Sequence, residues 1–213
     1  MKKLSLNLLI LITATVFITG CVSDNYKKSA STSVALNKSS TMIDKGSVLI
    51  DESLAKLNDL VVSPNPDLRK QFKAFNASVN DLGSLAKSVA SQSEDMKSQG
   101  AAYFAKWDDE AAKMRNEDIR NRSEARKSEV AAHFGRISQQ FDETKTVFKP
   151  FMSDLRDVQR FLATDLTADG LTAIRDAAAK ANADALPVKA SLGNLSVEFK
   201  SLSVSMSPTV PVQ

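Results

Sequence analysis

The chain has 213 residues with 28 lysines or arginines, 25 aspartates or glutamates and one cysteine, so its formal net charge is +3. A charge this close to neutral excludes the strongly basic surface typical of nucleic-acid-binding proteins. A single cysteine excludes an internal disulfide, so the fold depends on core packing, and roughly 180 residues are enough for that.

The first 20 residues have the layout of a secretory signal peptide. Lys2 and Lys3 precede an apolar run over residues 4–17. This run is shorter than the roughly 20 residues that span a bilayer, and no positively charged stop sequence follows it. We therefore expect the segment to be removed, which would lower the net charge to about +1.

The residues around the expected cut resemble a lipobox. Ile18-Thr19-Gly20-Cys21 places a cysteine directly after a small residue, although Ile18 and Thr19 depart mildly from the usual leucine and small residue. The resemblance implies cleavage between Gly20 and Cys21 and lipid on Cys21, an anchor that several acyl chains would make effectively permanent. An ordinary secreted protein with a chance cysteine is the alternative.

The residue after Cys21 bears on the destination. Retention of lipoproteins in the inner membrane usually goes with aspartate at that position, and here it is Val22. The resemblance therefore implies the periplasmic face of the outer membrane of a diderm bacterium, with the inner membrane as the less favoured location.

The body of the chain begins with a polar segment and a first helix. Residues 21–33 are mostly small and polar, and we expect a flexible tether there. A helical domain is then predicted over 34–205, and its first helix is indicated by apolar steps of three, four or seven at Leu36, Ile43, Ile50, Leu54, Leu57 and Val61.

The first helix is expected to end before Ser63-Pro64-Asn65-Pro66-Asp67, because two prolines cannot continue it. The same segment can start the next helix. Asn65 is predicted as its N-cap, with Pro66 in the first helical position and Asp67 favourable to the helix dipole.

Two ladders of alternating three- and four-residue steps follow. One runs from Leu68 to Met114 and the other from Val130 to Leu162, and they are out of frame by one residue when extended toward each other. A turn at Asn116 would explain the shift and produce two arms of about fifty residues, roughly 75 Å each. One continuous helix with a stutter is the alternative.

The second arm contains Pro150, which we expect to kink the helix without ending it, because the apolar pattern continues on both sides. A fourth helix is predicted after Thr167, its expected N-cap, with Pro187 as a bend. The residues 206–213 include two prolines and are predicted to be disordered.

The predicted fold class is all-α. A long antiparallel helical hairpin, in the manner of a coiled coil, would be flanked by shorter helices in an elongated up-down bundle. The shorter first and fourth helices would cover the base of the hairpin, and the tip around Asn116 would project beyond them.

Three motifs resemble those of a family of uncharacterised bacterial coiled-coil lipoproteins, catalogued as domain of unknown function 2959. They are Phe104-x-x-Trp107-x-x-Glu110, Asn116-x-x-Ile119-Arg120-x-x-Ser123 and Pro150-x-x-x-x-Leu155-Arg156-Asp157. The resemblance covers roughly residues 45 to 205. It implies a lipidated, mainly helical protein and no particular activity.

Residues for catalysis are scarce. His133 is the only histidine, it has no carboxylate at a reliable ligand spacing, and the glycines are scattered singly. Asp108, Asp109, Glu110, Glu117 and Asp118 could bind a cation, but lysines and arginines alternate with them, which favours a solvated face with helix ion pairs. We therefore predict no enzyme activity, no cofactor, no metal site and no small-molecule substrate.

The hairpin tip is the predicted interaction site. Aromatic side chains and arginines, which are favoured at interfaces, are concentrated there: Tyr103, Phe104, Trp107, Arg115, Asn116 and Arg120. Packing within the hairpin is the alternative for the aromatic residues.

The leading hypothesis is a non-enzymatic envelope lipoprotein that binds a protein partner, or a copy of itself, through the coiled coil. A membrane-active or membrane-remodelling helical protein is the rival. It would need an uncharged hydrophobic tip, whereas this tip carries Arg115, Glu117, Asp118 and Arg120.

Overall fold

The computed structural model describes residues 25–207, with side-chain positions from residue 32 onwards. These residues form five helices and no strand: α1 (Asn25–Val62), α2 (Arg69–Ala112), α3 (Glu117–Thr164), α4 (Ala168–Ala173) and α5 (Arg175–Met206). The prediction of an all-α helical bundle is confirmed.

The four long helices run alternately up and down. In ring order α1 packs on α2, α2 on α3, α3 on α5 and α5 on α1, and the short α4 lies between α3 and α5. One core cluster, which includes Leu57, Phe75, Phe151 and Leu171, fills the end where α1 joins α2 and α3 joins α4. We call this end, with its loops 63–68 and 165–174, the base. The opposite end, where residues 113–116 join α2 to α3, is the tip.

The hairpin turn lies where the frame shift predicted it. Helix α2 ends at Ala112, and the side chain of Asn116 caps α3 by accepting a hydrogen bond from the Ile119 N–H at 3.1 Å. The alternative of one continuous helix is therefore wrong. Helix α3 continues through Pro150, and α5 continues through Pro187.

The junction of α1 and α2 differs from the prediction. Helix α1 ends at Val62 as expected, but α2 begins at Arg69, so Asn65 is not its N-cap. The backbone N–H of Asn65 instead donates to the buried side chain of Gln71 at 2.9 Å. The Gln71 amide in turn donates to the carbonyl oxygens of Asp59 and Ser63. These bonds hold the loop in a non-helical path and satisfy carbonyls at the end of α1.

Helix α1 begins earlier than expected. Residues 25–33 are helical, so the prediction of a flexible tether is wrong for them, while residues 21–24 lie outside the described part. A long-range contact holds the end of this segment: the Ser33 hydroxyl donates to the Ser203 carbonyl, and the Ser203 hydroxyl donates to the Ser33 carbonyl, each at 2.8 Å. The polar composition of the segment gives no sign of this pairing.

The predicted fourth helix is interrupted once. Thr167 caps α4 as expected, accepting from the Gly170 N–H at 3.1 Å, but Ile174 separates α4 from α5. Helix α5 then extends to Met206, which is buried, so the tail predicted over 206–213 starts too early. Residues 208–213 lie outside the described part.

Candidate functional site

The three aromatic residues predicted for the tip pack within the bundle. The rings of Tyr103 and Trp107 meet edge to face at 5.5 Å, and Phe104 meets Phe134 of α3 in the same way at 5.4 Å. The indole N–H of Trp107 donates to the Ser123 hydroxyl at 2.8 Å. All three are half-buried against the core cluster near the tip, and burial raises the pKa of Tyr103. Packing within the hairpin therefore explains their presence, and a contact role stays a prediction.

The polar residues predicted for the tip are more accessible. Arg115 and Asn116 are exposed, and Arg120 is half-exposed. Within the described residues, no carboxylate lies within ion-pair distance of either arginine. Ile119 between them is 53% exposed, so the end of the hairpin combines cationic groups with one apolar side chain.

The carboxylates near the tip are dispersed among cations. Asp108 pairs with Lys127 across the hairpin, and Glu110 pairs with Lys113 at 2.9 Å, which lowers the pKa of Glu110. Glu117 and Asp118 occupy the first turn of α3, where they favour the helix dipole. In residues 32–207 no group of three or more histidine, cysteine or acidic side chains has an arrangement that could hold a metal ion.

The single histidine belongs to a surface cluster that links α3 to α5. An Arg136 guanidinium nitrogen lies 2.7 Å from Nδ1 of His133, and the Glu198 carboxylate lies 3.2 Å from Arg136 Nε and 3.7 Å from the same histidine nitrogen. The half-buried ring is thus flanked by a fixed cation and a fixed anion. These contacts give His133 a structural role in the packing of α3 against α5.

The start of α1 and the hairpin tip lie at the same end of the bundle. Leu36 near the start of α1 shares one core cluster with Val130 of α3 and Met206 of α5. Arg126, ten residues beyond Asn116, donates to the Ser205 carbonyl at 2.6 Å. Ten helical residues rise about 15 Å, so α5 covers the arms well beyond the base and ends about that length short of the turn.

The base carries an open groove of about 770 Å³ that the sequence did not indicate. Both loops line it, with Val61, Pro64, Leu68, Leu166, Leu171 and Arg175 among the contributing side chains. Its walls are apolar, and its charged groups are Arg175 and the ion pair of Asp67 and Arg69. In that pair Arg69 Nε lies 2.8 Å from Asp67 Oδ1. Only the tertiary approach of two loops far apart in sequence creates it.

Gly20 and Cys21, the residues of the predicted lipidation site, lie outside the described part. Among the helices of residues 25–207, none is long and apolar enough to cross a membrane.

The described residues define the class of the protein: it is an all-α helical bundle. The family model described as "Protein of unknown function (DUF2959)" matches residues 33–194, and the chain belongs to that family, as its motifs predicted. Neither a curated protein nor a solved structure matches the chain.

Proposed function

We propose that the protein is a lipid-anchored lipoprotein on the periplasmic face of the outer membrane, with a non-enzymatic structural or protein-interaction role. The position of α1 supports this proposal. The helix begins at the tip end of the bundle and spans the whole distance to the base. A helix directly following a membrane anchor would hold the body at a fixed orientation to the bilayer.

The reach of the chain supports this orientation. Cys21 lies four residues before Asn25, the first residue of α1. Four residues extend at most about 14 Å, so lipid on Cys21 would keep the tip end next to the membrane. Arg115 and Arg120 lie at this end, and these cations suit a surface of anionic headgroups.

The far end of the bundle is then the base. Helix α2 has 44 residues, which corresponds to about 66 Å along the axis. The base groove would stand about that far from the bilayer and is the surface that a periplasmic partner could reach first. The tip, which sequence analysis favoured as the partner site, is assigned in this proposal to the membrane surface.

The anchor is tested by metabolic labelling with an alkyne fatty acid. The wild-type chain is expected to incorporate label and to sediment with membranes, whereas Cys21→Ser is expected to lose both completely, since the chain has no other cysteine. Ser23→Ala is the matched control and should behave as wild type. Label that persists in Cys21→Ser would contradict the anchor.

The orientation is tested with fluorophores on introduced cysteines. Full-length lipidated Arg120→Cys and Asn65→Cys would be labelled and reconstituted in vesicles that contain a nitroxide-headgroup lipid. We expect strong quenching at position 120, near the tip, and little at position 65, at the base. Equal quenching, or stronger quenching at position 65, would contradict the orientation. Wild-type protein controls for labelling of Cys21.

A further inference from the structure

Exposed apolar side chains are concentrated on two helices. Of the eight large hydrophobic residues exposed in the described chain, α2 has none and α3 has two. The other six lie on α1 and α5: Val34 (70% exposed), Val48 (54%), Val62 (76%), Leu186 (70%), Val197 (63%) and Val204 (60%). Exposed apolar side chains that gather on one surface usually mark an interaction site.

The six residues lie on one side of the bundle. The three valines of α1 are fourteen residues apart, an interval that returns nearly to the same helix face. The leucine and two valines of α5 are separated by eleven and seven residues, which has the same effect. Lys189 and Lys200 of α5 pair with Asp51 and Asp44 of α1 at 2.7 and 2.9 Å.

Each apolar row lies beside that line of ion pairs. Val48 is within four residues of both aspartates, while Leu186 and Val197 are each three residues from a pairing lysine. In both helices the core residues lie on the other side of the line. The α1 and α5 rows therefore form one continuous outer surface, which we call the α1–α5 face.

The α5 part of this face is nearly free of charge. Lys200, which is already paired, is the only charged residue among the exposed positions from 183 to 204: Ala183, Leu186, Pro187, Ala190, Gly193, Asn194, Val197, Lys200, Ser201 and Val204. A helix face about 30 Å long whose one charged group is already paired could be buried without leaving an unpaired ion.

Gly193 adds an independent observation. A glycine inside a helix costs about 1 kcal/mol relative to alanine, yet a Cβ built at this position has no atom within 4 Å. The fold of the single chain therefore does not require glycine there. Together with Ala190, one turn away, it leaves a shallow notch in the face, and a notch admits a side chain from another helix.

We propose that a second copy of this chain covers the α1–α5 face, with a two-fold axis parallel to the bundle, so that α1 of each copy packs against α5 of the other. An isologous contact of this kind is the commonest form of homo-oligomer. The shared direction of the two copies rests on the proposed membrane anchor, because both anchors must then lie at one end.

The register within one chain determines the register between copies. A two-fold axis parallel to the helices preserves height, and the pairs Ser33–Ser203, Asp51–Lys189 and Asn58–Asn182 give the height of each α1 residue on α5. Val48 is then level with the notch at Ala190 and Gly193. Val34 is level with Val204, so Val48 meets the notch and Val34 meets an apolar residue of α5 in the other copy.

The available area is sufficient for a dimer. Two helices about 10 Å apart present a face about 20 Å wide, and its length is about 30 Å. Each copy would bury about 600 Å², or about 1,200 Å² in total, which is the lower bound for specific interfaces.

The test is disulfide cross-linking in membranes of cells that coexpress two differently tagged full-length chains, Val48→Cys and Gly193→Cys. We expect a disulfide-linked product that carries both tags and no product from either variant alone. Lys87→Cys with Lys145→Cys, exposed on α2 and α3, is the matched control and should give none. Adding Ala190→Glu to the Gly193→Cys chain should reduce the product at least tenfold, with an unchanged thermal melt.

Fatty-acid labelling of the same samples separates the two proposals. Absence of the mixed product in membranes where Cys21 carries label would overturn the dimer and would indicate that lipid or another protein covers the face. A mixed product that Ala190→Glu leaves unchanged would also overturn it. Loss of label on Cys21 with the product retained would contradict the anchor alone.

Discussion

Phe151→Ala is expected to lower the free energy of unfolding by about 3–5 kcal/mol. Phe151 is fully buried in the core cluster near the base, and its ring centroid lies 6.2 Å from that of Phe148. Removing the ring loses its transfer free energy and leaves a cavity that four packed helices cannot fill by small shifts. Urea denaturation followed by far-UV circular dichroism would measure the loss.

Phe161→Ala on the same helix is the matched control. Its side chain is 40% exposed, so we expect a loss of about 1 kcal/mol or less. Equal losses for the two variants would contradict the burial of Phe151 and the packing of α3 against its neighbours.

Gly170→Ala is expected to destabilise the protein by about 1–3 kcal/mol, although alanine is the better helix former. A Cβ on Gly170 would lie 2.2 Å from the Asp165 carbonyl oxygen, and backbone atoms cannot yield as a flexible side chain does. The loop between α3 and α4 would have to move, which would disturb the Thr167 cap.

Gly135→Ala is expected to have the opposite effect and to stabilise the protein. Gly135 lies inside α3, and an added Cβ has nothing within 4 Å. We expect a gain of about 0.5–1 kcal/mol from the better helix propensity. Thermal unfolding of both variants compares them directly, and a stabilising Gly170→Ala would refute the proposed close approach.

Features encoded by local chemistry were predictable from the sequence. Two prolines ended α1, a frame shift between apolar ladders located the turn at Asn116, and a threonine capped α4. Each depends on residues within a few positions of one another, so pattern and propensity were sufficient.

Features that depend on distant residues were not predicted. The loop at residues 63–68 is held by Gln71, whose position in the next helix does not reveal a role in capping carbonyls of α1. Ser33, in the part of α1 expected to be a tether, pairs with Ser203, 170 positions away. No local pattern contains either contact, because tertiary packing overrides local preference.

The relation of the tip to the start of α1 could have been deduced. Helix α1 ends at the base, so in an up-down bundle it must begin at the tip end. The aromatic residues of the tip were instead expected to project, and the structure places them half-buried against the core near that end.

The uninterrupted course of α1 has a mechanical consequence. Under the proposed anchoring, a pull on the base loop at residues 63–68 would pass lengthwise through one 38-residue helix to the lipid. This tension need not cross any interface between helices, so the bundle would bear it without being unzipped. A pull on the loop at residues 165–174 would have to cross into α1 by shear between packed helices. The two base loops, close in space, would thus differ in how firmly they connect a partner to the membrane.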